Sequence, residues 1–172
     1  RDKFKITFEE ANDAIAIVND DGRIVEANKA ASAIFGVGDN TLIGQSITQF
    51  FPEGFPFDTE WEDFKQGGSQ RDTVTVVSGD GVERTIEYEG TSNIIPGHHL
   101  FVSRDITERK EREQELSILK ERYETLLEAA PDPVFVADAE TKDLIEVNEA
   151  AETLLGMSSE EIIGMQQSEL HP

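Results

Sequence analysis

The chain has 172 residues, enough for one or two small domains, and carries 36 Asp plus Glu against 15 Lys plus Arg, a formal charge of −21 and a sequence pI near 4.3. So acidic a surface repels nucleic acid and anionic lipid, and the absence of cysteine removes disulfides, thiolate metal sites and cysteine nucleophiles. No apolar run reaches the ~18 residues that span a bilayer, and the acids are interspersed with hydrophobic residues, which argues against disorder.

In chain order, residues 14–18 are short, apolar and β-branched, and residues 23–27 follow across Asn19-Asp20-Asp21-Gly22. Asp-Gly between two such runs predicts a hairpin, because the turn needs positive φ. Asn28 then precedes a short helical run that ends at Gly36, the pattern of an N-cap and a glycine stop. Between residues 41 and 64 the aromatic residues crowd, and Pro52, Gly54 and Pro56 interrupt any period, predicting short turns rather than one helix. Three strands are predicted next, over residues 72–78, 82–94 and 99–104. In the second of these, Glu83, Thr85, Glu87 and Glu89 alternate with Arg84, Ile86 and Tyr88, one wet face against one packed face. His98-His99 is expected in a surface hairpin beside Pro96-Gly97, with metal binding or pH sensing as the alternative. The order strand, strand, helices, strand, strand, strand predicts an α+β module: a five-stranded antiparallel sheet with short helices on one face.

The chain also repeats its own beginning. Asn12-Asp13-Ala14 through Glu26-Ala27-Asn28-Lys29-Ala30-Ala31 recurs as Pro131-Asp132-Pro133 through Glu146-Val147-Asn148-Glu149-Ala150-Ala151, and Gly36 and Gly44 are answered by Gly156 and Gly164, each 120 positions on. A repeat of that length is a domain, not a solenoid unit. The expected organisation is a module over residues 1–107, a linker helix over 108–130, and the first half of a second module over 131–172. The second half-module, lacking its last three strands, is expected to be marginally ordered. Leu116, Leu119, Tyr123 and Leu126 are spaced three, four and three apart, a short heptad seam, for which packing on its own module and pairing with a second copy both stand.

Taken together, the opening 12–18, the Asp-Gly-Arg-Ile hairpin, Glu-Ala-Asn-Lys-Ala-Ala, Leu42-Ile43-Gly44-Gln45-Ser46 and the closing Arg104-Asp105-Ile106-Thr107-Glu108-Arg109-Lys110 resemble a PAS sensor domain over residues 8–107. Residues 123–172 resemble the first half of another, joined through a signalling helix. The resemblance implies a sensory module of a signal-transduction protein, a sensor histidine kinase above all, with a transducer or transcription activator as alternative. It gives Asp105, Ile106 and Thr107 the role of the junction that passes strain to the output helix. It implies a homodimer through Leu116, Leu119, Tyr123 and Leu126, an output domain on the same chain, and a cytoplasmic location even if the whole protein is membrane-attached. The acidity suggests a salt-loving, haloarchaeal source. No catalytic residues are found in this segment, and no nucleic-acid or direct membrane contact is expected.

Absence of cysteine excludes the covalent flavin and thiol-linked chromophore chemistries of such domains. Residues 57–70 hold no histidine, so haem is not expected, while non-covalent flavin stays open. Strand alternation and the aromatic cluster nominate Ile15, Ile17, Phe35, Ile47, Phe51, Trp61, Phe64, Val74, Val76, Ile86, Tyr88 and Phe101 as the lining of a small-molecule cavity, or equally as plain core. Trp61 and Tyr88 stand out because each carries a polar handle that needs a partner. Arg84 could meet an anionic ligand or pair with a neighbouring acid; no metal site is expected. Two readings remain: a ligand-responsive sensor, and a ligandless dimerisation or relay module.

Overall fold

A computed structural model describes residues 2–36 and 42–170. The chain divides into two compact units, Arg1–Glu111 and Arg112–Pro172.

The first unit opens with helix α1 (Asp2–Glu9), for which the sequence reading placed no element, followed by strands β1 (Ala14–Asn19) and β2 (Ile24–Ala27). Asn19 builds the turn between them by accepting the Asp21 and Arg23 amides on its Oδ1 at 3.1 and 2.9 Å, and Gly22 supplies the left-handed φ of 75°. Helix α2 (Lys29–Phe35) is capped by Asn28 and stopped by Gly36. A 3₁₀ turn (Ile47–Phe50) and helix α3 (Phe57–Gly67) follow, then β3 (Ser69–Val77), β4 (Glu83–Ile95) and β5 (His98–Asp105). The sheet is antiparallel throughout, in the order β2-β1-β5-β4-β3. This is the α+β arrangement expected.

Two expectations need correction here. The aromatic segment is not all short turns, because an eleven-residue helix begins directly after Pro56. Proline stands at the helix start, where a missing amide costs nothing, so it introduces α3 instead of interrupting it. His98-His99 does flank a hairpin turn, but His99 does not lie at the surface. Pro96-Gly97 forms the whole turn, so His99 already lies in the β5 ladder opposite Val18, facing inward with 0% exposure.

The tip of the β3–β4 hairpin closes the end of α2. Ser78 Oγ donates to the Ile34 carbonyl at 2.8 Å and the Gly79 amide to that of Phe35 at 2.7 Å, satisfying carbonyls the helix leaves unpaired. The core gathers Val18, Ile24, Leu42, Phe50, Trp61, Phe64, Val76 and Ile86 between sheet and helices.

Helix α4 (Thr107–Ala129) starts in the first unit and ends in the second. Its one buried residue is Leu127, while Leu116, Leu119, Tyr123 and Leu126 are exposed, so the helix does not pack its apolar seam on its own module.

The second unit pairs β6 (Phe135–Ala137) with β7 (Leu144–Val147) and adds helices α5 (Glu149–Leu155) and α6 (Ser159–Ile162) and a 3₁₀ turn (Gln167–Leu170). Its core is Leu144, Val147, Ala151 and Ile162. Asn148 and Gly156 bracket α5 as Asn28 and Gly36 bracket α2.

Candidate ligand cavity

Between the sheet and the helices of the first unit lies a cavity of about 100 Å³. Its sheet wall is Ala14, Ala16 and Val18 on β1, Ile24 on β2, Gln70, Val74 and Val76 on β3, Ile86 and Tyr88 on β4, and Phe101 and Ser103 on β5. The helical side contributes Phe35, Ile47, Phe50, Phe51, Phe55, Phe57, Glu60, Trp61 and Phe64.

Ten of the twelve nominated residues therefore line it, and Ile15 and Ile17 do not. β1 pairs with β5 as Ala14–Ser103, Ala16–Phe101 and Val18–His99, which turns Ile15 and Ile17 outward beside Val102 and Leu100. β1 is apolar on both faces, so alternation gives no phase. The small Ala14 and Ala16 face inward, where aromatic rings fill the space. Nothing in the sequence marked Glu60, Gln70 or Ser103 as lining, whereas Phe50, Phe55 and Phe57 belonged to the aromatic cluster already noticed.

The rings form a connected set. Phe57 stacks on Trp61 at 5.5 Å, Trp61 meets Phe64 at 5.5 Å, Phe64 meets Phe101 at 5.0 Å and Phe101 meets Tyr88 at 6.1 Å, within the range for favourable aromatic pairs. Gly90 makes this possible: a Cβ there would lie 2.8 Å from ring carbons of both Phe64 and Phe101. A glycine interrupting a strand pattern was the available signal.

Trp61's polar handle serves the fold. Its Nε1 donates to the Asp20 carbonyl at 2.9 Å. His99 stands edge-on to Trp61 and Phe64; its Nδ1 accepts the Asn93 amide at 3.0 Å, which leaves Nε2 to donate to Asp20 Oδ1 at 2.9 Å. The His99 ring thus ties the β1–β2 turn to the β4–β5 hairpin and buttresses the cavity wall. Tyr88 is different. Burial first, then the carboxylates of Asp72 and Glu60, push its hydroxyl above the usual tyrosine value, so it stays neutral.

Arg84 is taken by acids, with Nη1 and Nη2 each 3.2 Å from the Asp80 carboxylate and Nε 3.7 Å from Asp105. The guanidinium holds the Asp80 carboxyl below its ordinary value. At the junction, Asp105 Oδ1 accepts the Thr107 amide at 2.9 Å and its hydroxyl at 2.6 Å, and Thr107 Oγ1 accepts the Thr85 amide at 2.9 Å. Ile106 is buried and its amide donates to the Thr85 carbonyl. The three residues fasten the first turn of α4 to strand β4. Among the described residues no cluster could hold a metal ion, and no helix is long and apolar enough to cross a membrane.

Comparison with known proteins agrees with this architecture. The family profile for the PAS fold matches residues 8–111, and one for the PAS domain matches residues 121–171. Sporulation kinase E of Bacillus subtilis (strain 168) is 29% identical over 150 residues, which is 86% of this chain and 20% of that protein, so the chain spans about a fifth of the curated relative it matches. Among solved structures, the PAS domain of an HTR-like protein from Haloarcula marismortui has a TM-score of 0.54 at 24% identity, covering 61% of this chain and 90% of that one. The PAS domain of a LuxR-family transcriptional regulator from Burkholderia thailandensis, in complex with ethanol, has a TM-score of 0.53 at 20% identity and covers 60% and 96%. With its full fold matched over residues 8–111 and the opening pattern matched again over residues 121–171, the chain belongs to the PAS family.

Proposed function

We propose that the first unit is a ligand-responsive sensor whose output leaves through Asp105, Ile106 and Thr107 into helix α4. The observation that carries this reading is strand β5: the same eight residues place Phe101 and Ser103 in the cavity wall and Asp105 in the junction. A ligand that fits one setting of β5 better than another biases the junction by its difference in affinity for the two. The exposed seam of Leu116, Leu119, Tyr123 and Leu126 then pairs with the same helix of a second copy, and the output domain, a histidine kinase by analogy with sporulation kinase E, lies on the same polypeptide. Catalysis belongs to that domain and not to this segment, which works on the cytoplasmic side.

A second reading, a ligandless dimerisation and relay module, draws on the small cavity: about 100 Å³, against the ~150 Å³ of an engineered cavity that holds benzene. Mass spectrometry of compounds released by denaturing the purified chain separates the two. A stoichiometric small molecule supports the sensor; an empty protein whose assembly is abolished by Leu119→Asp supports the relay. A monomer at all concentrations removes the paired helix from both.

A further inference from the structure

The cavity lining is apolar apart from a few polar side chains. Most of its wall is hydrocarbon and aromatic ring, and nine of its lining residues are aromatic. The polar lining residues are Gln70, Tyr88, Ser103 and the exposed Glu60, with Ser103 opposite Tyr88 across β4–β5 and Asp72 opposite it across β3–β4. Among the described residues Glu60 makes no ion pair, and neither the Gln70 amide nor the Tyr88 hydroxyl makes a hydrogen bond; the lining includes no Lys, Arg or His. The five residues between Gly36 and Leu42 add no basic side chain by sequence. Arg84, the basic residue on the inner face of β4, is consumed by Asp80 and Asp105, and Lys65 on α3 pairs with Glu62 at 2.7 Å.

We infer that the cavity takes a small organic cation, a protonated short-chain amine whose apolar tail lies among the rings and whose charge meets Glu60. The inference rests on the sensor reading and deepens it. A phosphate or carboxylate entering this site would lose its water without gaining a cation and would face the Glu60 and Asp72 carboxylates. A protonated amine gains from two features: the exposed Glu60 carboxylate, which has no basic partner among the described residues, and aromatic faces whose quadrupole attracts positive charge. The volume limits the ligand to a handful of non-hydrogen atoms.

The chain holds one tryptophan, and it lines the cavity, so Trp61 fluorescence reports occupancy. The test titrates the whole chain, at fixed high ionic strength, with butylamine, 1-butanol and butyrate, which share a tail and differ in charge. Butylamine is expected to bind at least about tenfold more tightly than 1-butanol, with butyrate not binding. Glu60→Gln is expected to erase the amine's advantage while leaving 1-butanol's affinity in place. Glu26→Gln, on the outer side of β2, removes the same charge from the chain and is expected to keep the advantage. Equal affinity for butylamine and 1-butanol, any preference for butyrate, or equal losses in the two variants would overturn the cation assignment and leave the sensor reading standing. Failure of all three probes, together with an empty protein by mass spectrometry, would remove both.

Discussion

The two units open with the same device and end differently. In the first, the buried Asn28 accepts the Ile15 and Ala31 amides on Oδ1 at 2.9 and 3.0 Å, while Nδ2 donates to the Phe8 and Asp13 carbonyls, both at 3.0 Å. In the second, Asn148 accepts the Val134 and Ala151 amides and donates to the Leu127, Ala130 and Asp132 carbonyls. Phe8 and Leu127, like Asp13 and Asp132, are 119 positions apart. Helix α4 is therefore to the second unit what α1 is to the first: the helix whose last turn the asparagine clamps to the first strand and the following helix. The cavity has no such local recipe. It exists where β3, β4 and β5 bring Val76, Tyr88, Gly90 and Phe101 across from α3, and the described second unit, with two strands, buries only a small core.

Removing the clamp is expected to have the largest effect. Asn28→Ala strands one buried and one half-buried amide and frees two carbonyls at once, for a loss of about 2–4 kcal/mol, read as a lowered urea midpoint of Trp61 fluorescence. Asn148→Ala is expected to leave that Trp61 transition in place. Its signature is lost amide protection in the last turn of α4, β6 and α5, seen by hydrogen exchange. A cost near 1 kcal/mol for Asn28→Ala would reduce the residue to an ordinary N-cap.

Next in size is Gly90→Ala, which touches the feature the second unit lacks. The added methyl would press on Phe64 and Phe101 at 2.8 Å, closer than a real Cβ contact, and overpacking of this kind costs about 1–3 kcal/mol. The strand itself would gain up to about 1 kcal/mol from losing a glycine. A net loss is expected, with a shifted Trp61 emission because Phe64 is Trp61's neighbour. A stability gain would show that the rings yield without cost and that the glycine has no packing role.

The asparagines, the Asp-Gly turn and the α2 stop were legible because each is a bargain struck within a few residues. The sheet order could be read as well, since turn residues separate its strands. What could not be read depends on register. β1 reads Ala-Ile-Ala-Ile-Val, apolar on both faces, and only its pairing with β5 decides that the alanines face the cavity. His99 could be placed at the start of its strand, but nothing local showed that it is buried, where Asp20, 79 positions away, completes its hydrogen bonding. The polar part of the cavity lining, Glu60 and Gln70 with Tyr88, likewise joins α3, β3 and β4 and leaves no local trace. Trp61 was singled out for its polar handle, and that handle anchors the β1–β2 turn at the Asp20 carbonyl.

The smallest expected effect concerns Asp13, the counterpart of Asp132. Arg104, near the end of β5, donates to both Asp13 oxygens at 2.9 Å, an exposed fork that closes β5 onto the start of β1. Among the described residues Asp132 has no ion pair. The Arg104 hydrogen bonds hold the Asp13 carboxyl below its ordinary value, against a smaller opposing effect of burial. A carboxyl lowered in the folded state stabilises the fold fully above its unfolded value, ~3.9, and loses that contribution as pH falls through the lowered folded value. Global relief of the chain's acidic self-repulsion acts over the same range, so the quantity to measure is a difference. Urea midpoints of the unchanged chain minus those of Asp13→Asn should be positive and flat above about pH 5 and shrink toward zero below about pH 4. Exposed ion pairs contribute little, so the plateau should be small. A plateau of zero would mean that strand pairing alone closes β1 onto β5, and that the fork decorates a contact the backbone has already made.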